Sequence, residues 1–89
     1  MKVKYKGNNV DIENKADNPK KEFFAYFNNH TIDINFDEYG TKFHKKWCNT
    51  NPKNLWAARC HDEGGGCIVD GVFEGTMRNA VQICVDNME

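Results

Sequence analysis

The sequence predicts an α+β fold: an antiparallel β-sheet built from hairpins, with a C-terminal amphipathic helix packed on one face. The apolar residues are mainly Val, Ile and aromatics, which favour strands, and Leu55 is the single leucine among 89 residues. Short segments of alternating polar and apolar residues are separated by turn-forming residues, which is typical of hairpins. The last segment instead has apolar residues at helical spacing.

The N-terminal part is predicted to form a hairpin. Residues 2–6 and 10–13 alternate apolar with polar side chains on either side of residues 7–9 (GNN), which can supply the positive φ of a tight turn. Residues 14–21 contain Pro19 and few apolar side chains, so we expect a loop there.

Two further strands follow the loop. The segment EFFAYFN at residues 22–28 has apolar side chains on both faces, which is typical of a central strand. The segment TIDINF at residues 31–36 places Ile32, Ile34 and Phe36 on one face and polar side chains on the other. We expect one face of this second strand to be buried and the other to contact water.

The next segment leaves two alternatives open. Residues 37–41 (DEYGT) resemble a type I turn that closes with Gly40 in the left-handed conformation and leads into a strand over residues 41–48. Aromatic residues also recur near helical spacing, at Phe36, Tyr39, Phe43 and Trp47. In that case Asn35 and Glu38 could form a capping box. The hairpin is favoured because glycine is unfavourable inside a helix.

The C-terminal part is predicted as a hairpin and a helix. After a break at residues 49–52 (NTNP), residues 55–60 and 67–73 pair around a loop at residues 61–66. Thr76 then caps a helix. The apolar side chains of this helix share one face and are Met77, Ala80, Val81, Cys84, Val85 and Met88.

Length and composition exclude several function classes. The chain is 28% charged with a formal net charge of -1, which predicts one small globular domain over residues 1–89. No window is apolar enough for a membrane span, and the first twenty residues are too polar for a signal peptide, so we expect a cytoplasmic protein. Because a domain of this size has a modest core, we expect no cofactor.

Cysteine is the residue type with the most specific chemistry in this chain. The four cysteines are Cys48, Cys60, Cys67 and Cys84, and none lies in a Cys-x-x-Cys pair. The nearest candidate set for a zinc site is His44, Cys48, Cys60, His61 and Cys67, whose spacing is unfavourable. Cys60 and Cys67 flank a predicted hairpin loop and could form a disulfide, but we expect no export signal and hence a reducing compartment. Free, mostly buried thiols and no metal site are therefore favoured.

No catalytic residue is predicted, and we expect the protein not to be an enzyme. Cys60 and His61 are adjacent in a predicted strand, so their side chains point to opposite faces. Asp62 and Glu63 lie in a glycine-rich loop, where solvated carboxylates are usual. The glycines at 64–66 join two predicted strands, whereas phosphate-binding loops join a strand to a helix.

Charge is distributed unevenly along the chain. Residues 41–59 carry five basic residues and no acid, whereas residues 60–89 carry six acids and the single basic residue Arg78. The acidic part predicts a surface that docks on a basic groove of a protein partner. Its expected contacts are Asp62, Glu63, Asp70 and Glu74. The alternative is nucleic-acid binding by basic residues interleaved with aromatic ones. That surface would comprise Lys42, Lys45, Lys46, Lys53 and Arg59, with Phe43, Trp47 and Trp56.

We therefore expect a small protein-binding module, in the first place an inhibitor that occludes a toxic or nucleic-acid-handling partner. An immunity protein, or a phage protein that blocks a host defence complex such as a CRISPR effector, would fit this description. A nucleic-acid-binding module is the alternative, and no membrane partner is expected. The oligomeric state is expected to be a monomer or a homodimer, since an exposed edge strand can pair two copies.

Overall fold

The computed structural model describes residues 1–48 and 52–89. The elements in chain order are β1 (Lys2–Tyr5), β2 (Asn8–Asp11), β3 (Glu22–Phe27), β4 (His30–Phe36), α1 (Glu38–Trp47), β5 (Leu55–His61), β6 (Cys67–Glu74) and α2 (Met77–Asp86). β1 and β2 form an antiparallel pair, and the other strands form a four-stranded antiparallel sheet in the order β3-β4-β5-β6. Helix α2 packs on this sheet and on β1. The predicted α+β fold is confirmed.

The N-terminal hairpin is present, but its turn lies earlier than predicted. Lys6 and Gly7 form the two-residue turn, with φ values of 49° and 81°, and Asn8 already belongs to β2. Two positive φ values give a turn whose twist matches that of the strands. The hairpin is attached to α2 because Gln82 accepts a hydrogen bond from Lys4 N (2.9 Å) and donates one to Lys4 O (2.8 Å).

One apolar cluster fills the space between the four-stranded sheet and α2. Its fully buried members include Phe23, Ala25, Ile32, Ile34, Ala58, Cys60, Ala80, Val81, Cys84 and Val85. The predicted cap of α2 is confirmed, since Thr76 Oγ1 accepts a hydrogen bond from Asn79 N at 3.1 Å. The face of the sheet that does not pack on α2 is called the open face below.

Strand β3 lies at an edge of the sheet, so its prediction as a central strand was wrong. Phe23 and Ala25 are buried as expected, but Tyr26 on the open face is 64% exposed. The side chains of Phe24 and Tyr26 contact each other edge to face, with ring centroids 5.3 Å apart. The apolar pattern on the second face therefore reflects a local aromatic pair and not a covering layer.

The segment after β4 is a helix, so the predicted turn at residues 37–41 and strand over 41–48 were wrong. The helical alternative is correct, with Asp37 and not Asn35 as its N-cap: the Asp37 carboxylate accepts a hydrogen bond from Gly40 N at 2.9 Å. Gly40 lies in the first turn, where a Cβ would collide with this carboxylate. Glycine thus permits the cap and does not break the helix.

The hairpin of β5 and β6 is confirmed, with a bulge close to its turn. Cys60 pairs with Val69 and His61 with Cys67, which makes Ile68 the extra residue. The predicted break at residues 49–52 lies outside the described residues except for Pro52. In the described part of the chain, the helices are too short and too polar to cross a membrane.

Candidate functional site

In the described part of the chain, helix α1 is attached to the body of the protein along one side. Thr41 is its one buried residue (3% exposed), and the Thr41 Oγ1 accepts a hydrogen bond from Leu55 N at 2.9 Å. This bond joins the helix to the first residue of β5. It leaves the other sides of α1 facing away from the sheet.

His44, one turn after Thr41, makes the second attachment. His44 Nδ1 lies 3.3 Å from Lys53 N and must accept its hydrogen bond, which leaves the proton on Nε2. His44 Nε2 lies 3.3 Å from Glu74 Oε1 at the end of β6, and Lys53 Nζ lies 3.9 Å from Glu74 Oε2. The attachment of α1 is therefore made by polar groups, and not by burial of a large apolar side chain.

The opposite side of α1 carries three large aromatic side chains, which we call the aromatic stripe. Tyr39, Phe43 and Trp47 are 81%, 56% and 68% exposed. A spacing of four residues aligns them along the helix, at roughly 120° to 160° from Thr41. The rings of Phe43 and Trp47 contact each other, with centroids 6.0 Å apart. Isolated exposed apolar residues are common, whereas contiguous apolar patches are rarer on protein surfaces, so the stripe is the candidate site.

Two lysines form one border of the aromatic stripe. Lys42 and Lys46 each precede a stripe residue by one position, so they form a row parallel to it. Lys46 Nζ lies 5.5 Å from the centroid of the Trp47 ring, within the range of a cation–π contact. Lys42 Nζ lies 3.5 Å from Glu38 Oε1 on the same exposed surface. The helix thus presents an apolar surface with a cationic margin.

The acidic residues predicted as partner contacts do not lie together. Asp62 and Glu63 are in the β5–β6 turn, at one end of the sheet, whereas Glu74 is at the other end beside α1. The eight residues of β6 separate these ends by about 23 Å at the usual rise per residue. Asp70 lies between them on the open face, where its Oδ1 is 3.5 Å from Arg59 Nε.

Asp62 has a structural role in its turn. Its Oδ1 accepts a hydrogen bond from Gly66 N at 2.7 Å, while its own backbone N–H donates to Gly66 O at 2.9 Å. Glu63 next to it is exposed. A polar cavity of about 520 Å³ lies between this turn, the β3–β4 turn and the end of α2. This end of the molecule lies far from the aromatic stripe.

The predicted nucleic-acid surface is only partly assembled. Lys42, Lys45 and Lys46 share α1, and Lys53 lies beside it. Arg59 is on the open face with Asp70. Trp56 cannot stack on a base, because it is 7% exposed and its indole N–H donates to Gly75 O at 3.0 Å.

Sequence reasoning did not identify the aromatic stripe, because it favoured the hairpin over the helical alternative that the same aromatic residues indicated. Phe43 and Trp47 were assigned to a strand, and Tyr39 to a turn. The signal was the regular spacing of four residues, which indicates one side of a helix.

The cysteines form neither of the sites considered from the sequence. All four are free. Cys60 faces the core whereas Cys67 is exposed and opposite His61, so the two are not cross-strand neighbours. Within residues 1–48 and 52–89, no group of three or more His, Cys, Asp or Glu residues could hold a metal ion. A hydrogen bond with Cys60, together with burial, raises the pKa of the Cys84 thiol.

Comparison of the chain with protein family models, with curated proteins and with solved structures finds no match.

Proposed function

We propose that this protein is a protein-binding module that docks through α1. The observation that carries the proposal is the aromatic stripe: Tyr39, Phe43 and Trp47 are exposed side by side, on the side of α1 that points away from its attachment. Each such ring can bury a large apolar area when it enters a pocket. An amphipathic helix with anchors one turn apart is a common way of binding an apolar groove.

The partner we propose is a protein with an apolar groove and an acidic rim. Lys42 and Lys46 border the stripe, so their ammonium groups would meet the rim when the rings enter the groove. Such charge complementarity increases the rate of association and fixes the orientation of the helix. The aromatic side chains would supply most of the affinity, as aromatic anchors do in other interfaces.

Docking of this kind would also inhibit the partner. A helix seated in a groove excludes the ligand that otherwise occupies it, which is the steric occlusion expected from the sequence. The immunity and anti-defence roles, including inhibition of a CRISPR effector in the cytoplasm, are special cases of this proposal. They differ only in the identity of the partner.

The charges around α1 favour a protein partner over a nucleic acid. Three of the five predicted phosphate contacts already have an acidic neighbour: Lys42 has Glu38, Lys53 has Glu74 and Arg59 has Asp70. Lys46 lies over the Trp47 ring, on the surface that a base would need for stacking. The net charge of -1 adds no general attraction to phosphate.

A tagged pull-down from the source cells, with and without nuclease, tests the proposal. The wild-type protein is compared with Phe43→Ala and Trp47→Ala, and with Tyr26→Ala as the matched control. Tyr26 is also a strongly exposed aromatic residue, but it lies on β3 and outside the stripe. We expect a nuclease-resistant protein that both stripe variants lose and the control retains.

The affinity for the captured protein then gives the size of the effect. Titration calorimetry should show a loss of about tenfold or more for each stripe variant, as for aromatic anchors elsewhere, and an unchanged Kd for Tyr26→Ala. Equal binding by all variants would contradict docking through α1. Recovery of nucleic acid alone, with binding that weakens steeply as salt rises, would establish the alternative function.

A further inference from the structure

The two edges of the four-stranded sheet differ in their protection. The loop before β3 covers its outer edge: Lys15 N donates to Phe24 O (2.8 Å), and Asn14 Oδ1 accepts from Phe24 N (3.2 Å). Asn14 Nδ2 also donates to Glu22 O at 2.8 Å. At the other edge, β6 pairs only with β5 among residues 1–48 and 52–89. Among the residues that the structure describes, the chain therefore protects one edge and leaves a free side on β6, the longest strand.

The hydrogen bonds of β5 show which way its backbone groups point. Asp37 N donates to Leu55 O and Leu55 N donates to Thr41 Oγ1, both at 2.9 Å, so Leu55 faces β4. Successive residues of a strand direct their backbone groups to alternate sides, so Trp56 faces β6. Trp56 is directly opposite Phe73 in the register.

The same alternation identifies the free groups of β6. Because Phe73 faces β5, Gly71 and Val69 face β5 as well, and the hydrogen bond from Gly75 N to Asn54 O (2.8 Å) agrees with this direction. Asp70 and Val72 must therefore direct their N–H and C=O groups outward. Their side chains lie on the open face, and Val72 is a large exposed apolar residue. Unpaired groups of this kind are a template for another strand.

We propose that two copies of this chain pair through β6 in antiparallel orientation, with the twofold axis at Gly71. The paired sheets then form one continuous eight-stranded sheet. The register follows from charge. An axis at Asp70 would place the Asp70 residues of the two copies opposite each other. An axis at Val72 would place Asp70 of each copy opposite Glu74 of the other. With the axis at Gly71, Asp70 is opposite Val72 of the second copy, and no like charges are directly opposite each other.

Gly71 suits the centre of such an interface. The two Gly71 residues form a non-hydrogen-bonded pair, whose Cα atoms approach to about 4.5 Å. A Cβ at Gly71 would lie 3.3 Å from Cζ of the Phe73 ring, which occupies the space beside it. On either side, Asp70 and Val72 of the two copies exchange backbone hydrogen bonds. On the α2 face, Val69 of one copy meets Phe73 of the other in an apolar contact.

The bulge at Ile68 limits the interface at one end. It disturbs the alternation before Val69, so the regular part of the edge is residues 69–74. The pairing of residues 69–73 with 73–69 of the second copy fits within this part. The helix α1 takes no part in these contacts, so the dimer is independent of the proposed function.

Size-exclusion chromatography with light scattering on the full chain, over a range of concentrations and in reductant, tests the dimer. Reductant is required because Cys67 is exposed and could link two copies covalently. We expect twice the mass of one chain for the wild type, falling towards one chain on dilution. A mass of one chain at about 1 mM would overturn the proposal.

Three variants of Val72 identify the strand. Val72→Pro removes an outward N–H that the single chain does not use, and prolines are accepted on the free side of edge strands. Val72→Asp leaves the backbone unchanged but places a carboxylate opposite Asp70 of the second copy. Both variants should be monomeric with wild-type circular dichroism, while the control Val72→Thr keeps the dimer. A folded Val72→Asp protein that remains dimeric would overturn pairing through β6.

Amide hydrogen exchange provides an independent measurement. In the dimer, the N–H groups of Asp70 and Val72 should be protected at high concentration and exchange rapidly on dilution. The N–H of Phe73 faces β5 and should stay protected at all concentrations, as the internal control. Rapid exchange of Asp70 and Val72 at all concentrations would show that β6 remains unpaired, and would reject the dimer.

Discussion

The two helices of this protein have the same length but opposite relations to the core. Both α1 and α2 have ten residues and one apolar side. In α2 that side is buried against the sheet, whereas in α1 the apolar side faces away and Thr41 is the one buried residue. Amphipathicity therefore identifies a helix but not the direction of its apolar side.

The difference follows from the residues that each helix offers. Ala80, Val81 and Cys84 are small enough to pack closely on the strands beneath α2. In α1 the large stripe residues lie on the opposite side from Thr41 and His44, which attach the helix by hydrogen bonds. A helix held by polar groups keeps its apolar side free for a partner.

The largest expected effect comes from placing the same charge on the apolar side of each helix. Val81→Asp buries an unpaired carboxylate in the core, and should reduce the free energy of unfolding by about 3–5 kcal/mol or abolish folding. Phe43→Asp places the carboxylate in water and should change the free energy of unfolding by less than about 1 kcal/mol. Urea unfolding followed by circular dichroism measures both. Similar losses for the two variants would show that the stripe is part of the core.

A smaller loss of stability is expected when the hydrogen bond that attaches α1 to β5 is removed. Thr41→Val preserves the shape of the side chain but leaves the N–H of Leu55 without its acceptor, which should cost about 1–2 kcal/mol. Thr31→Val is a suitable control, because Thr31 lies on the open face of β4, where β-branched residues are favourable. Thermal unfolding compares the two. An unchanged Tm for Thr41→Val would mean that the hydrogen bond does not hold the helix.

The sequence predicted those elements whose residue pattern depends on neighbours along the chain. The periodicity of α2, its cap at Thr76 and the hairpin of β5 and β6 could all be read from the chain. Helix α1 was kept only as the alternative to a hairpin because Gly40 is unfavourable in a helix interior, whereas the Asp37 cap needs a residue without Cβ at that position. This requirement depends on the three-dimensional position of the Asp37 carboxylate. Helix propensities describe single residues and therefore do not include it.

The candidate site was less predictable than the fold. The order of strands in a sheet cannot be read from alternation, so β3 was placed at the centre on account of Phe24 and Tyr26. Residues 62 and 74 are close in the sequence, yet an extended strand carries them to opposite ends of the sheet. The exposure of the stripe depends on which side of α1 is attached, and that is decided by Thr41 and His44.

The smallest effect on stability is expected from a substitution within the aromatic stripe itself. Trp47→Phe should change the free energy of unfolding by less than about 0.5 kcal/mol, because the side chain is exposed in the folded protein as in the unfolded chain. Its effect on fluorescence should be large. Trp47 contacts water, whereas Trp56 is buried, so the variant should emit at shorter wavelength and resist quenching by acrylamide.

The matched variant Trp56→Phe should behave in the opposite way. It removes the buried indole and its hydrogen bond to Gly75 O, so stability should fall while emission shifts to longer wavelength and quenching increases. The same signal then reports binding, because a partner that covers the stripe must shift the emission of Trp47 and protect it from acrylamide. A partner that binds without changing Trp47 would contact another part of the molecule, and the aromatic stripe would lose its proposed role.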